Sequence, residues 1–342
     1  MQTVPIIREP TPRKAPSPIR SRSKSPAQKR YSHLLYLSEA ERQIYVSKME
    51  KSSASSLRSS NSVRSDRTAT SSAGSQTSVS TGMQSKLSMQ VPRFVDDHYP
   101  LITSINLHNV PAAVPKDHPA FWCARQMAQI HNTIIRALNA SWNQSILVQP
   151  DTQEAADFLL FNQMLFNTLN HHHHVEDDYM FPAIEKLLNQ PGALEENTKG
   201  HESFAEGLTI FQKYVFITKS AEYNGATLRH IIESFAPNLI QHLHDEIPTL
   251  ANLHTVDGKE LMKIWKHAEH IATKDNSLYT DGPWTLGCQD KSFTIDGEKC
   301  SFPNVPWVIE AVIRNWHAKK HAGAWKFCPS DLSGRRRMLP VA

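Results

Sequence analysis

The chain has 342 residues, with 37 Lys and Arg, 33 Asp and Glu, 18 His and a formal net charge of +4. That length allows one or two domains with a substantial core. Four cysteines without a CxxC pair disfavour a disulfide scaffold and a zinc ribbon. No apolar run approaches the roughly 18–20 residues that a membrane span needs, and the first residues lack the apolar core of a secretory signal. We therefore expect a cytoplasmic protein without a membrane partner.

Residues 1–92 form a basic tail rich in Ser, Arg and Pro. Residues 1–95 carry 16 Lys and Arg against 5 Asp and Glu, whereas the rest of the chain carries 21 against 28. The tail has too few large apolar residues to offset the entropy of ordering, so we expect it to be disordered. Tyr31–Met49 is the exception, apolar enough for a helix that forms on an unknown protein partner. The charge leaves a nuclear location open, but few aromatic side chains disfavour nucleic-acid binding.

Four amphipathic segments follow the tail, each with apolar residues at spacings of three and four, which is typical of helices with one buried face. They cover about Ala120–Trp142, Thr152–Asn189, Leu194–Lys219 and Asn224–Leu253. Pro182 is expected to bend or break the second helix. The pattern predicts an all-α fold, an up-down four-helix bundle. The bundle occupies residues 93–254, and residues 255–342 form a C-terminal extension that packs on it.

Each predicted helix carries a histidine on its apolar stripe, and two of these histidines are followed one turn later by a glutamate. Residues four apart lie on the same side of a helix, so each pair points an imidazole and a carboxylate into the bundle together. A buried, unpaired carboxylate is costly, and a metal centre removes that cost. Imidazole and carboxylate ligands suit iron, manganese or zinc. The candidate ligands are His131, His172, Glu176, His201, His242 and Glu246.

The histidine run from His171 to His174 requires a choice, because four consecutive helical residues sweep about 300°. His172 is preferred because it shares its stripe with Leu165 and Leu169. The competing pair is His173 with Asp177, on the neighbouring stripe.

Several segments resemble the hemerythrin-like (HHE cation-binding) family. HHHHVEDDYMFPAIEKL is similar to the family's second-helix motif, in which HxxxE precedes Phe-Pro by a fixed offset, and HLHDEIPTL to its fourth-helix motif. MAQIHNTIIRALNASW and GHESFAEGL resemble the first-helix and third-helix motifs around His131 and His201. The resemblance covers roughly Phe121 to Leu253. Residues 302–340 are also similar to a C-terminal extension of fungal hemerythrin-like proteins.

The resemblance implies a centre of two non-haem iron ions, with manganese and zinc disfavoured. In one respect the sequence departs from oxygen-carrying hemerythrins, because Ala205 stands where they have a second third-helix histidine. The remaining set of four histidines and two glutamates is more similar to HHE proteins linked to iron–sulfur cluster repair and nitric-oxide stress. One missing ligand would leave an open position on one iron, where water or a diatomic molecule binds.

Other candidate sites are weaker. His317 and His321 have helical spacing but lie among lysines that repel a cation, and His267 and His270 lie on a polar helix. Cys288 and Cys300 flank a predicted two-strand excursion or loop and are expected to be free thiols.

Three functions remain open from the sequence. The favoured one is a di-iron protein that binds or senses O2, NO or iron, because no catalytic residue stands out beyond the ligands. The alternatives are a di-iron oxidoreductase acting on peroxide or NO, and a partner-binding scaffold with a vestigial metal site.

Overall fold

The computed structural model describes residues 94–340; the tail and the helix expected at Tyr31–Met49 lie outside the described residues. The α-helices of the described part are α1 (Pro119–Gln144), α2 (Gln153–Val175), α3 (Phe181–Leu188), α4 (Glu195–Ile217), α5 (Gly225–Ala251), α6 (Gly258–Thr273), α7 (Asp281–Gly287) and α8 (Trp307–Asn315). A π-helical segment, Glu176–Met180, joins α2 to α3. Short 3-10 turns lie at Leu107–Asn109, Ser220–Glu222, Asn252–Thr255, His317–His321 and Ala324–Phe327.

The helices α1, α2, α4 and α5 form the predicted bundle. Contacts join α1 to α5, α5 to α4, α4 to α2 and α2 to α1, which closes a ring of four. Side-chain caps begin three of them: His118 Nδ1 accepts from the backbone N–H of Ala120, the Thr152 hydroxyl from that of Ala155, and the Asn224 side chain from that of Thr227. Large aromatic side chains fill the core, including Phe158, Phe161, Phe211 and Phe235.

The second helix departs from its sequence prediction in one place. Its break begins at Glu176, before Pro182, because the backbone N–H of Phe181 donates to the carbonyl of Glu176 five residues back. This π-type turn inserts one extra residue into the helix. Pro182 then lies in the first turn of α3, a position where helices tolerate proline.

Residues 255–340 continue the helical structure beyond the bundle. Helix α6 packs against α1, α2, α3 and the π-helical segment. The hairpin between Cys288 and Cys300 pairs β1 (Thr294–Ile295) with β2 (Glu298–Lys299), antiparallel, with Thr294 opposite Lys299. Cys288 and Cys300 are free thiols, as expected, and Cys123 and Cys328 are free as well. Within residues 94–340, no helix has both the length and the apolar character needed to cross a bilayer.

A group of charges, three of them buried, ties the two ends of the described chain to α1. We call Asp96, Arg136, Asp290 and Arg336 the arginine cluster. Arg136 donates to Asp96 and, over 3.4 Å, to Asp290. Arg336 donates to Asp96 over 2.6 Å and also binds Asp97. Every charge of this cluster therefore faces an opposite charge within the chain.

Candidate metal centre

The four bundle helices and the π-helical segment bring seven metal-binding side chains together inside the bundle. We call them the histidine–carboxylate cluster: His131 on α1, His172 and His173 on α2, Glu176 at the start of the π-helical segment, His201 on α4, and His242 and Glu246 on α5. Six are buried, and the His172 side chain is 11% exposed.

The first group of ligand atoms comes from His131, His172 and Glu176, all within 4.8 Å of one another. The Nε2 atoms of His131 and His172 are 3.0 Å apart, and Nε2 of His172 is 3.2 Å from Oε1 of Glu176. Oε2 of Glu246 lies 3.5 Å from Nε2 of His131. Two imidazoles and two carboxylates therefore surround one position.

The second group comes from His173, His201 and His242, whose ligand atoms also lie within 4.8 Å of one another. Oε2 of Glu176 is 3.6 Å from Nε2 of His201, and Oε2 of Glu246 is 3.7 Å from Nε2 of His242. Each carboxylate thus faces one histidine of each group. This is the arrangement that bridging carboxylates need between two ions.

Two hydrogen bonds orient imidazoles of the cluster. Nδ1–H of His131 donates to the carbonyl of Leu243 over 2.7 Å, and Nδ1–H of His201 donates to Oδ1 of Asp177 over 3.0 Å. The proton is assigned to Nδ1 because each partner only accepts in these contacts. Both rings therefore turn an unprotonated Nε2 toward the centre, as a metal ligand requires.

The cluster fits metal ions because its donor atoms lack partners within the protein. Nε2 of His173, His201 and His242 and all four carboxylate oxygens of Glu176 and Glu246 are buried without a hydrogen bond. Buried polar atoms are rarely left in this state. Metal bonds of about 2.0–2.2 Å place neighbouring ligand atoms roughly 3.0–3.5 Å apart. The separations of 3.0–3.7 Å across the cluster are close to these values.

Burial keeps four imidazoles of the cluster neutral. It lowers the pKa of His172 to about 3 and that of His242 to about 2, with a further contribution from neighbouring imidazoles. The pKa values of His131 and His173 are also lowered well below the usual value, again chiefly by burial. A metal ion binds neutral imidazole, so these ligands need lose no proton near pH 7.

Burial acts in the opposite direction on the carboxyl groups. It raises the pKa of Glu246 to about 8, and it raises that of Glu176, where the negative charge of Glu246 adds to the effect. Without a cation, the pair therefore retains protons at neutral pH. A bound metal ion would replace them with its own positive charge.

A glycine on α4 makes room for one of the ligands. A Cβ at Gly200 would lie 2.5 Å from Nδ1 of His242, much closer than non-bonded atoms approach. Helix α4 can pass this close to the imidazole only because position 200 has no side chain.

The structure brings all six of the sequence-predicted ligands into this cluster and adds His173, which the choice of His172 had set aside. His172 belongs to the first group of ligand atoms and His173 to the second, so the two side chains need not lie on the same face of α2. Asp177, the predicted companion of His173, contacts His201 instead. In the sequence, the four-residue spacing between His173 and Asp177 was the signal that pointed to His173 as a ligand. His173 gives the second group the third imidazole that Ala205 cannot supply.

The comparisons with known proteins agree with this geometry. A family model described as the hemerythrin HHE cation-binding domain matches residues 124–251, which include the whole cluster. Dimeric xanthone biosynthesis cluster protein R11 of Cryptosporiopsis sp. (strain 8999) is 36% identical over 222 residues, or 65% of this chain and 84% of that protein. This chain belongs to the hemerythrin HHE family. No solved structure matches it. In this HHE protein, the match to R11 spans 222 residues, so it is longer than the HHE domain at residues 124–251.

Proposed function

We propose that the histidine–carboxylate cluster binds two iron ions and that the pair of ions binds O2 or NO. The observation that carries this proposal is the set of buried ligand atoms without partners, arranged in two groups that share two carboxylates. Bound iron would supply one-electron chemistry and affinity for diatomic ligands. The donor set alone suits manganese and zinc as well, and the family resemblance favours iron.

The two groups differ in a way that favours ligand binding at one of them. The second group has three imidazoles besides the carboxylates, whereas the first has two, His131 and His172. Fewer protein donors leave an open coordination position, as in metal sites that bind a further ligand. His172 and Glu176 also line a cavity, so the first group is the one that a further ligand can reach.

Metal analysis of the purified protein tests the composition of the centre. We expect two irons per chain, and substantially less iron in His173→Ala and Glu246→Ala. The matched control is His171→Ala, which removes an exposed neighbour in the same histidine run. Full iron occupancy in both ligand variants would contradict the ligand assignment, and a purified protein with zinc or no metal would contradict the choice of iron.

Spectroscopy of the iron-loaded protein tests ligand binding. We expect a visible absorption band to develop when the reduced protein meets O2 or NO, and the O2-induced band to disappear on reduction. An unchanged spectrum with both gases, at full iron content, would contradict diatomic binding while leaving the metal site intact.

A second candidate function is that of an oxidoreductase. It is favoured by the relative R11, whose name places it in a biosynthesis cluster, and by a cavity that reaches the first group. Consumption of peroxide, NO or an organic compound over more than a few turnovers per chain would establish it. Stoichiometric reaction alone would favour the binding function.

A further inference from the structure

A cavity of about 470 Å³ lies beside the first group of the histidine–carboxylate cluster. His172 and Glu176 are part of its wall. The remaining wall comes from α1, α2, the π-helical segment, α6 and α7, with Phe302. The bundle therefore forms one side of the cavity, and the C-terminal extension forms the other.

We propose that this cavity binds an uncharged or cationic, largely apolar organic molecule with one or more rings, and that this molecule reaches the metal centre as its substrate. The proposal rests on the proposed metal centre and deepens its second candidate function, because it gives the first group an organic substrate.

The cavity is much larger than a diatomic ligand alone requires. One water molecule takes about 30 Å³ of liquid volume, and a diatomic molecule is of similar size. Cavities of about 300–1,000 Å³ are typical of sites for organic ligands and cofactors. The observed 470 Å³ lies in that range.

The wall chemistry favours an apolar ring system. Met127, Met180 and Trp265 are buried wall residues, and the small side chain of Ala268 leaves space between them. Trp265 also packs edge-to-face on Trp122, with ring centroids 5.8 Å apart, which holds the wall in place. Methionine and aromatic side chains are the usual contacts of flat apolar molecules.

Charge at the cavity disfavours an anionic ligand. Glu269, Asp275 and Asp281 belong to its lining, and the described lining residues include no Lys or Arg. Lys274 lies 4.0 Å from Asp275, at the limit of an ion pair between exposed groups. In the metal-free protein, a carboxylate or phosphate ligand would therefore meet net negative charge at this wall, whereas a phenol, a ketone or an amine would not.

Binding of two matched fluorinated probes tests the proposal. 6-Fluoro-2-naphthol is uncharged near neutral pH, and 6-fluoro-2-naphthoate has the same rings with a negative charge. We expect the metal-free protein to bind the naphthol once per chain, at least about tenfold more tightly than the naphthoate. Equal or tighter binding of the naphthoate would overturn the proposed ligand class.

Two cavity variants and one control locate the probe. Ala268→Trp fills the space beside Trp265, and Ala272→Phe narrows the cavity at a half-buried position. Both should weaken naphthol binding roughly tenfold or more, because each new ring fills part of the volume that the probe would occupy. His270→Trp places the same bulk on α6 at an exposed position outside the lining. Unchanged binding in a folded cavity variant would overturn the site.

Fluorine resonances measure whether the probe reaches the metal centre. In iron-loaded protein, the bound naphthol resonance should broaden strongly through the paramagnetic ions, and in zinc-loaded protein it should stay narrow. Equal line widths at full iron content would overturn contact with the centre. If the protein takes up no iron, the proposed function fails, whereas naphthol binding to the metal-free protein still measures the cavity separately.

Discussion

The arginine cluster and the histidine–carboxylate cluster are both buried and polar, yet they are completed in different ways. Asp96 accepts from both Arg136 and Arg336, so its negative charge is matched inside the chain. Glu176 and Glu246 have imidazoles and each other as close neighbours, and the negative charge of Asp177 acts on both. Their oxygens have no hydrogen-bond partner.

This difference separates a structural cluster from a binding cluster. A buried ion pair that is satisfied within the chain holds elements together, and breaking it leaves an uncompensated charge. A buried carboxylate pair without a cation destabilises the folded chain until a ligand supplies the charge. The predictions below test that contrast.

The largest effect is expected from breaking the arginine cluster. Asp96→Ala leaves Arg136 and Arg336 without their shared carboxylate and should cost about 3–5 kcal/mol of unfolding free energy. Denaturant unfolding measures the loss. Asp97→Ala is the matched control, because Asp97 is partly exposed and contacts Arg336 alone among these arginines. A loss in Asp96→Ala no larger than in the control would contradict a structural role for the cluster.

Per bound ion, metal removal is expected to have the next largest effect. At free metal concentrations 100–1,000 times the dissociation constant, one bound ion stabilises the folded state by about 2.7–4.1 kcal/mol. A chelator should therefore lower the melting temperature of wild-type protein. Glu176→Gln should have a smaller shift because it loses a bridging ligand. Equal shifts in both proteins would argue against metal binding at this cluster.

A smaller loss is expected when Gly200 is replaced. The Cβ of Gly200→Ala would press on His242 and should cost about 1–3 kcal/mol by overpacking, together with part of the metal affinity. Ala205→Gly, on the same helix, removes rather than adds a methyl group and should leave metal content unchanged. Normal metal affinity and stability in Gly200→Ala would show that α4 can move away from His242.

The carboxylate pKa values predict a pH dependence of metal binding. Below pH 8, metal-free protein holds a proton on the carboxyl pair, and a metal ion must displace it. Affinity should rise with pH from 6 to 8, by up to about tenfold per pH unit for each proton released. Calorimetry in buffers of different ionisation enthalpy counts the released protons. A pH-independent affinity with no proton release would contradict the raised pKa values.

In the metal-free protein, the raised carboxyl pKa and the lowered imidazole pKa should change the free energy of unfolding in opposite directions as the pH rises. The raised pKa of Glu246 stabilises the fold below pH 4.5, and this contribution is lost as pH rises through about 8. The lowered pKa of His172 acts the other way, since its contribution is present above pH 6.5 and is lost as pH falls toward 3. Melting temperatures across pH 4–9 should therefore peak between these limits without metal and stay high to pH 8 with metal.

The smallest effect is expected from Glu246→Gln in metal-free protein. This change removes a buried carboxyl group that has no hydrogen-bond partner, so it should alter stability by less than about 1 kcal/mol or increase it. Metal content should nevertheless fall. A large destabilisation without metal would mean that Glu246 is held by the protein itself, as Asp96 is.

The sequence predicted the bundle because its buried faces repeat at helical spacing, and the same stripes located His131, His201 and His242. It favoured one of two adjacent histidines, since one stripe marks one face of a helix. A centre for two ions is wide enough to receive His172 and His173 on different sides. The wall formed by α6 was not predicted either, because its few buried residues, such as Trp265 and Ala268, lie among exposed charges.

The π-helical segment Glu176–Met180 has a consequence for how this chain tolerates change in length. Before this segment, His172 and His173 face the metal centre. After it, Phe181 and Ile184 face the apolar core. Each helical residue turns the chain by about 100°, so the inserted residue is what reconciles the two phases. A chain shorter by one residue here could match the ligands or the core, but not both. The extra residue thus lets one continuous helix direct its ligands to the metal centre and its apolar side chains to the core.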